Sequence, residues 1–118
     1  MNEKLVQASM NIILNAGDAR EENLQALKAI AEGDIEKAKK YHQLAGEKIT
    51  IAHKEQTDQI QDETRGETKP YSVLFAHAQD TLMTINSEII LVNQLIEVFD
   101  SYLSLIHISE PTRPEPIS

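Results

Sequence analysis

Apolar residues return along most of this chain at intervals of three and four, the spacing of one face of an α-helix. Between about residues 3 and 31, Leu5, Ala8, Ile12, Ala16, Ala19, Leu27 and Ile30 recur opposite Lys4, Gln7, Asn11, Asn15, Asp18, Glu22 and Gln25. A second stretch, about 35 to 64, repeats Ile35, Ala38, Tyr41, Ala45, Ile49, Ala52 and Ile60 on a narrow, alanine-rich stripe with charge over the remainder. The third, about 71 to 104, is the strongest: Leu74, Ala78, Leu82, Ile85, Ile89, Val92, Ile96, Phe99 and Leu103 form one unbroken stripe. Three long helices are predicted. Gly33 suits the exit of the first and Asp34 the N-cap of the second, so these two should run antiparallel through a short turn. Thr64-Arg65-Gly66-Glu67-Thr68-Lys69 reads as a polar loop, with Pro70 at or just before the first turn of the third helix.

The third stripe predicts a helix at the centre of the core. At about 100° per residue a second group, Leu91, Leu95 and Val98, lies well away from that stripe, so more than half of the girdle is apolar. A small three-helix bundle does not cover both faces unless the other helices wrap the third. The alternative is that the extra face packs on further copies of the chain.

After residue 104 the helical periodicity stops, and three of the four prolines fall beyond residue 110. Residues 105–118 are expected to be a disordered tail, and their sequence also resembles read-through from a cloning vector. His107 is discounted with them, leaving one domain over residues 1–104.

Composition agrees and narrows the possibilities. The 118 residues include five aromatics, three Tyr and two Phe, while helix formers dominate, so the fold class is all-α. A chain of this size buries roughly 65% of its extended surface, which leaves its stability open to help from a partner or from self-association. With 19 Asp and Glu against 11 Lys and Arg, the formal net charge is −8, which argues against nucleic-acid binding and against attachment to anionic lipid. The absence of Cys removes disulfides, thiol nucleophiles and thiolate metal sites. The N-terminus lacks a basic stretch followed by an apolar one, and no uninterrupted apolar run approaches 18 residues, so a cytoplasmic protein without membrane insertion is expected.

No nucleotide-binding loop, metalloprotease helix, calcium loop or nucleophile elbow is present, and the candidate chemistry reduces to histidines. His42 sits beside Lys39 and Lys40 and reads as a surface residue; His53 borders the second stripe and reads as structural. His77 lies on the flank between the two apolar faces of the third helix, with Asp80 at i+3 and Thr84 at i+7 on the same side. An imidazole at such a margin is held by packing yet can meet a protein partner, which suits a nucleophile. Asp80 points roughly toward the second apolar face. If copies meet there, their carboxylates converge and repel unless a cation intervenes, and a divalent ion held by carboxylate and water oxygens is the natural remedy. A solvated Asp near a helix N-terminus is the simpler reading.

Ala16-Gly17-Asp18-Ala19-Arg20, Ala52-His53-x-x-Gln56-Thr57, and above all Pro70-Tyr71-Ser72-Val73 followed by His77-Ala78-Gln79-Asp80-Thr81-Leu82-Met83-Thr84 carry a resemblance. From about residue 10 to 103 the chain resembles the lactose/cellobiose-type enzyme IIA of the bacterial sugar phosphotransferase system. The resemblance implies a homotrimer of antiparallel three-helix bundles, a nine-helix assembly. It implies that His77 accepts a phosphoryl group from the histidine-containing phosphocarrier protein and passes it to a cysteine of the cognate enzyme IIB, with Gln79 as a supporting polar residue. It further implies that Asp80 of each subunit holds a divalent ion, Mg²⁺ by preference, on the threefold axis, with no nucleotide needed. Family members often carry a second histidine directly after the Asp, where this chain has Thr81, so no role of that imidazole carries over. The Ala after His77 is closer to cellobiose- or chitobiose-type members, which is too little to assign a sugar.

Two rivals remain. A histidine phosphotransfer domain of two-component signalling usually places a Lys a few residues after its histidine, whereas Ala78, Gln79, Asp80 and Thr81 follow here. A non-catalytic helical oligomerisation module would keep His77 as a structural residue only.

Overall fold

A computed structural model of the chain describes residues 3–66 and 71–109, with side chains to residue 106. Three helices follow one another: α1 (Glu3–Ala31), α2 (Ile35–Thr64) and α3 (Val73–Ser109). The α1–α2 turn is built as its residues dictate. Gly33 takes a left-handed backbone at φ 78°, its N–H donates to the Ile30 carbonyl at 2.9 Å, and the Asp34 N–H donates to Ala29 at 2.9 Å. The last carbonyls of α1 are thereby satisfied without extending the helix. Asp34 then caps α2, its carboxylate accepting from the Lys37 N–H at 3.1 Å. At the start of α3 the Ser72 hydroxyl accepts from the Phe75 N–H at 3.1 Å, which sets the helix start at Val73 rather than at Tyr71. Residues 67–70, where the polar loop and Pro70 were placed, lie outside the described residues.

The expected end of α3 at residue 104 is corrected, because the helix continues to Ser109. Nothing in Ser104-Leu105-Ile106-His107-Ile108 breaks a helix, and the first obstacle is Pro111, whose ring restricts the residue before it. The remainder of the expected tail, 110–118, and the His107 side chain lie outside the described residues.

The core is one seam in two parts. Leu5, Ile12, Ala16 and Ala19 of α1, Ala45, Ile49 and Ala52 of α2, and Phe75, Ala78, Leu82, Ile85 and Ile89 of α3 pack together. Ala26, Ala29, Ile35, Ala38, Val92 and Ile96 continue it toward the α1–α2 turn. α1, rather than α3, is the central element: it packs most extensively on α2, then on α3, and α2 and α3 touch least. The facing alanines let the α1 and α2 backbones approach closely, whereas the larger side chains of α3 hold it farther off. The outer positions of the predicted stripes also move: Leu27, Ile60 and Phe99 are exposed, while Ala26, Ala29 and Phe75 take the buried places.

The wrapped-helix arrangement of α3 is overturned. Leu91 is 61% exposed and Val98 60%, with Tyr102 and Leu105 exposed beyond them. The second apolar face is bare in the single chain. The expectation about membrane character holds only for uninterrupted runs, since Val73–Ile106 is long and apolar enough to cross a membrane by length and composition, with 17% of its most apolar window buried.

Candidate functional site

His77 stands one turn into α3, exposed, one residue before the buried Ala78. Ala78 fixes the register against α1 and α2, and this turns position 77 outward at the margin of the bundle. The imidazole makes no hydrogen bond or ion pair among the described residues. It lines a surface cavity of about 250 Å³ together with Asp80, Thr81, Thr84 and Ile85 of α3 and Arg20 of α1. The expected grouping of His77, Asp80 and Thr84 along one side of α3 is present. Gln79 is not part of it: two positions on from His77, it points to the other flank and lines a cavity of about 420 Å³ with Leu5, Tyr71, Ser72 and Phe75. The structure therefore gives no direct contact between Gln79 and the His77 cavity within one chain.

Asp80 is exposed and forms no ion pair among the described residues. No three His, Cys, Asp or Glu side chains converge on a metal position among those residues. His42 and His53 are half-buried on α2, and neither lines this cavity.

Arg20 was singled out only as part of a motif, and the structure gives it a definite place. Its Nε donates to Glu88 Oε1 at 3.0 Å and its Nη2 to Glu88 Oε2 at 2.6 Å, a bidentate bridge between α1 and α3. The Glu88 carboxylate raises the guanidinium further above its already high range, first through the hydrogen bond and then through charge. The signal in the sequence was slight: Arg20 lies one helical turn after the buried Ala16, at the edge of the α1 stripe, but its partner is 68 residues away.

Beyond this bridge lies a groove of about 330 Å³ between α1 and α3, walled by Leu24, Leu27, Leu91 and Leu95 and bordered by Arg20 and Glu88. Asn23 also lines it, 3% exposed, and its buried Oδ1 has no hydrogen-bond donor among the described residues. The exposed imidazole thus sits at one end of a strip that is mostly apolar.

An all-helical bundle with an exposed imidazole at the margin of an uncovered apolar face is the class defined by fold and site among the described residues. The family model described as "PTS system, Lactose/Cellobiose specific IIA subunit" matches residues 7–100, and the chain belongs to that family. It is 37% identical over 100 residues to the lichenan-specific phosphotransferase enzyme IIA component of Bacillus subtilis, covering 85% of this chain and 91% of that protein. The crystal structure of the cellobiose-specific enzyme IIA from Bacillus anthracis superposes with a TM-score of 0.81 at 35% identity, covering 88% of this chain and 95% of that one. The IIA(chitobiose) chain solved in complex with HPr from the Escherichia coli phosphotransferase system gives a TM-score of 0.69 at 30% identity, covering 86% and 98%. The protein is a phosphotransferase-system IIA component, and the resemblance carried by its His77 segment is to the right family.

Proposed function

We propose that the protein is a cytoplasmic phosphoryl carrier in which His77 takes a phosphoryl group from the histidine-containing phosphocarrier protein and hands it to the enzyme IIB of a cellobiose-, chitobiose- or lactose-type transporter. The observation that carries this reading is an accessible, unpartnered imidazole set on a rigid helix beside hydroxyl groups and one arginine. The HPr complex of the related IIA(chitobiose) supports the donor. In the transfer a ring-nitrogen lone pair of neutral His77 attacks phosphorus as the P–N bond to the donor histidine breaks. The phosphoryl group moves between two imidazoles, so no nucleotide or oxidant is consumed. The relatives differ in sugar (lichenan, cellobiose, chitobiose) while sharing this fold, and sugar choice is accordingly assigned to the membrane partner rather than to this chain.

The functional form is a homotrimer. The strip of exposed Leu91 and Val98 with half-buried Leu95 between them is what copies would cover. Lipid is a poor alternative occupant, because Asp80, Glu88, Glu97 and Asp100 are spread along the same helix and would enter the hydrocarbon with it. Three chains meeting near the start of α3 would bring their Asp80 carboxylates together, and the hard oxygen donors fit Mg²⁺ or a similar ion with water completing the shell. Gln79 is retained as a supporting residue only through contact across subunits or with a docked carrier, since it faces away from the cavity in its own chain.

The deciding measurement is intact mass after incubation with phosphoenolpyruvate, enzyme I and the phosphocarrier protein. Wild type is expected to gain one acid-labile phosphoryl group per chain, and His77→Ala none, with helicity and sizing unchanged. No gain in wild type beside active donor proteins leaves a non-catalytic oligomerisation module. Asp80→Leu is expected to abolish bound metal, and unchanged elemental content sinks the axial ion.

A further inference from the structure

The cavity beside His77 has one basic residue in its lining, and that residue is already engaged elsewhere. Arg20 shares the cavity with His77, Asp80, Thr81, Thr84 and Ile85, while both arms of its guanidinium hold Glu88. We propose that Arg20 is the counter-charge of phosphorylated His77, held on Glu88 while the imidazole is empty and moved to the phosphoryl oxygens when it is loaded. This rests on the reading of His77 as the phosphoryl carrier and adds to it a phosphoryl-binding residue, Arg20, and a positioning residue, Glu88.

Electrostatics creates the need. A phosphoryl group adds roughly −1.5 to −2 charges at neutral pH, and it arrives beside the carboxylate of Asp80 in a chain whose net charge is already −8. The cavity offers hydroxyls from Thr81 and Thr84 and a single cation, Arg20. The planar fork that grips two carboxylate oxygens at 3.0 and 2.6 Å fits two phosphoryl oxygens equally well. A dianion outcompetes a carboxylate for it.

The exchange is also inexpensive. The side chains of Arg20 and Glu88 are 49% and 39% exposed, so the pair is solvent-screened and its loss does not strand a charge in the core. Glu88 lies about one α3 turn beyond Thr84, and the guanidinium it holds therefore waits at the far end of the cavity from His77. Occupation by Glu88 keeps the cation from closing over the empty imidazole while a donor docks.

The test is the loading equilibrium in a closed mixture of phosphorylated phosphocarrier protein and this protein, read by intact mass, with KM and kcat of loading measured alongside. R20A is expected to accept phosphate on His77 but to shift the equilibrium toward the donor by roughly tenfold, and R20K to recover part of that shift. E88Q is expected to move the equilibrium the other way by a few-fold, because Arg20 is no longer held. The Arg20 Nε–H resonance, identified by its absence in R20K, should move on loading of the wild type.

A merely structural bridge makes R20A and E88Q act alike, both lowering the melting temperature and neither moving the equilibrium, and that result overturns the proposal. Failure of wild type to load at all overturns the His77 reading beneath it. Normal loading of wild type with an unchanged equilibrium in R20A removes Arg20 alone.

Discussion

The two seams that α1 makes are built on opposite terms. Against α2 it is closed: alanine faces alanine along Ala16, Ala19, Ala26, Ala38, Ala45 and Ala52, all fully buried. The far end is clamped by Asp62, which is buried and accepts from Lys4 Nζ at 2.9 Å and from Arg65. Against α3 it is open on one side, where Leu24 and Leu27 face Leu91 and Leu95 across a groove bridged by one exposed ion pair. Small residues complete an interface within the chain, whereas large apolar residues left facing water create one that only another molecule completes. The exposed imidazole sits beside the open seam and not the closed one.

The largest expected effects separate the two faces of α3 itself. Leu82 is fully buried at the three-helix contact, so Leu82→Ala should cost about 2–5 kcal/mol of folding stability in any assembly state. Leu95→Glu, on the other face, should leave far-ultraviolet dichroism unchanged and convert the proposed trimer to monomers. Size exclusion with light scattering checks it, and an intact trimer in Leu95→Glu would place the subunit contact elsewhere.

Next in size is the clamp on the closed seam. The Asp62 side chain is 6% exposed while Lys4 and Arg65 are mostly in water, so removing the carboxylate frees two cations that solvent can accept. Asp62→Ala should therefore cost about 1–2 kcal/mol, below the loss expected where both partners are buried. Urea denaturation measures it, and the proposed self-association should be untouched because the clamp lies away from the open groove.

Much of this contrast was legible in the sequence. The three helices, the Gly33-Asp34 turn and the second apolar face of α3 all follow from spacing and from a few residues with special backbone needs. His77, Asp80 and Thr84 were placed together because one helix carries all three. What spacing did not disclose are relations between helices. The place of α1 at the centre depends on how closely alanine stripes approach, which no single stripe reveals. Arg20 and Glu88, Lys4 and Asp62 are long-range partners whose residues look like ordinary solvated charge on their own helices. The buried Ser9 was hidden for a different reason: its hydroxyl donates to the Leu5 carbonyl at 2.7 Å, one turn back, and so needs no partner from another element. The place of Gln79, given only by the family resemblance, is on the other flank from His77 in its own chain, because two positions along a helix face opposite ways.

The smallest expected effects compare the two junctions that position the seams. Asp34 caps α2 after a turn already fixed by Gly33 and by the backbone bonds from Gly33 and Asp34 to the end of α1. Ser72 caps α3, and the Ala76 N–H also donates to its carbonyl at 3.0 Å. Removing either side-chain acceptor strands one helix N–H that water can reach, so Asp34→Ala and Ser72→Ala should each cost about 1 kcal/mol. The two should then diverge in function: Asp34 lies at the far end of the bundle from His77, whereas Ser72 sets the first turn that carries it. Phosphoryl loading should be unchanged in Asp34→Ala and slowed in Ser72→Ala at matched stability. Equal loading rates in the two variants would show that the packing of Phe75 and Ala78, without the cap, is enough to aim the imidazole.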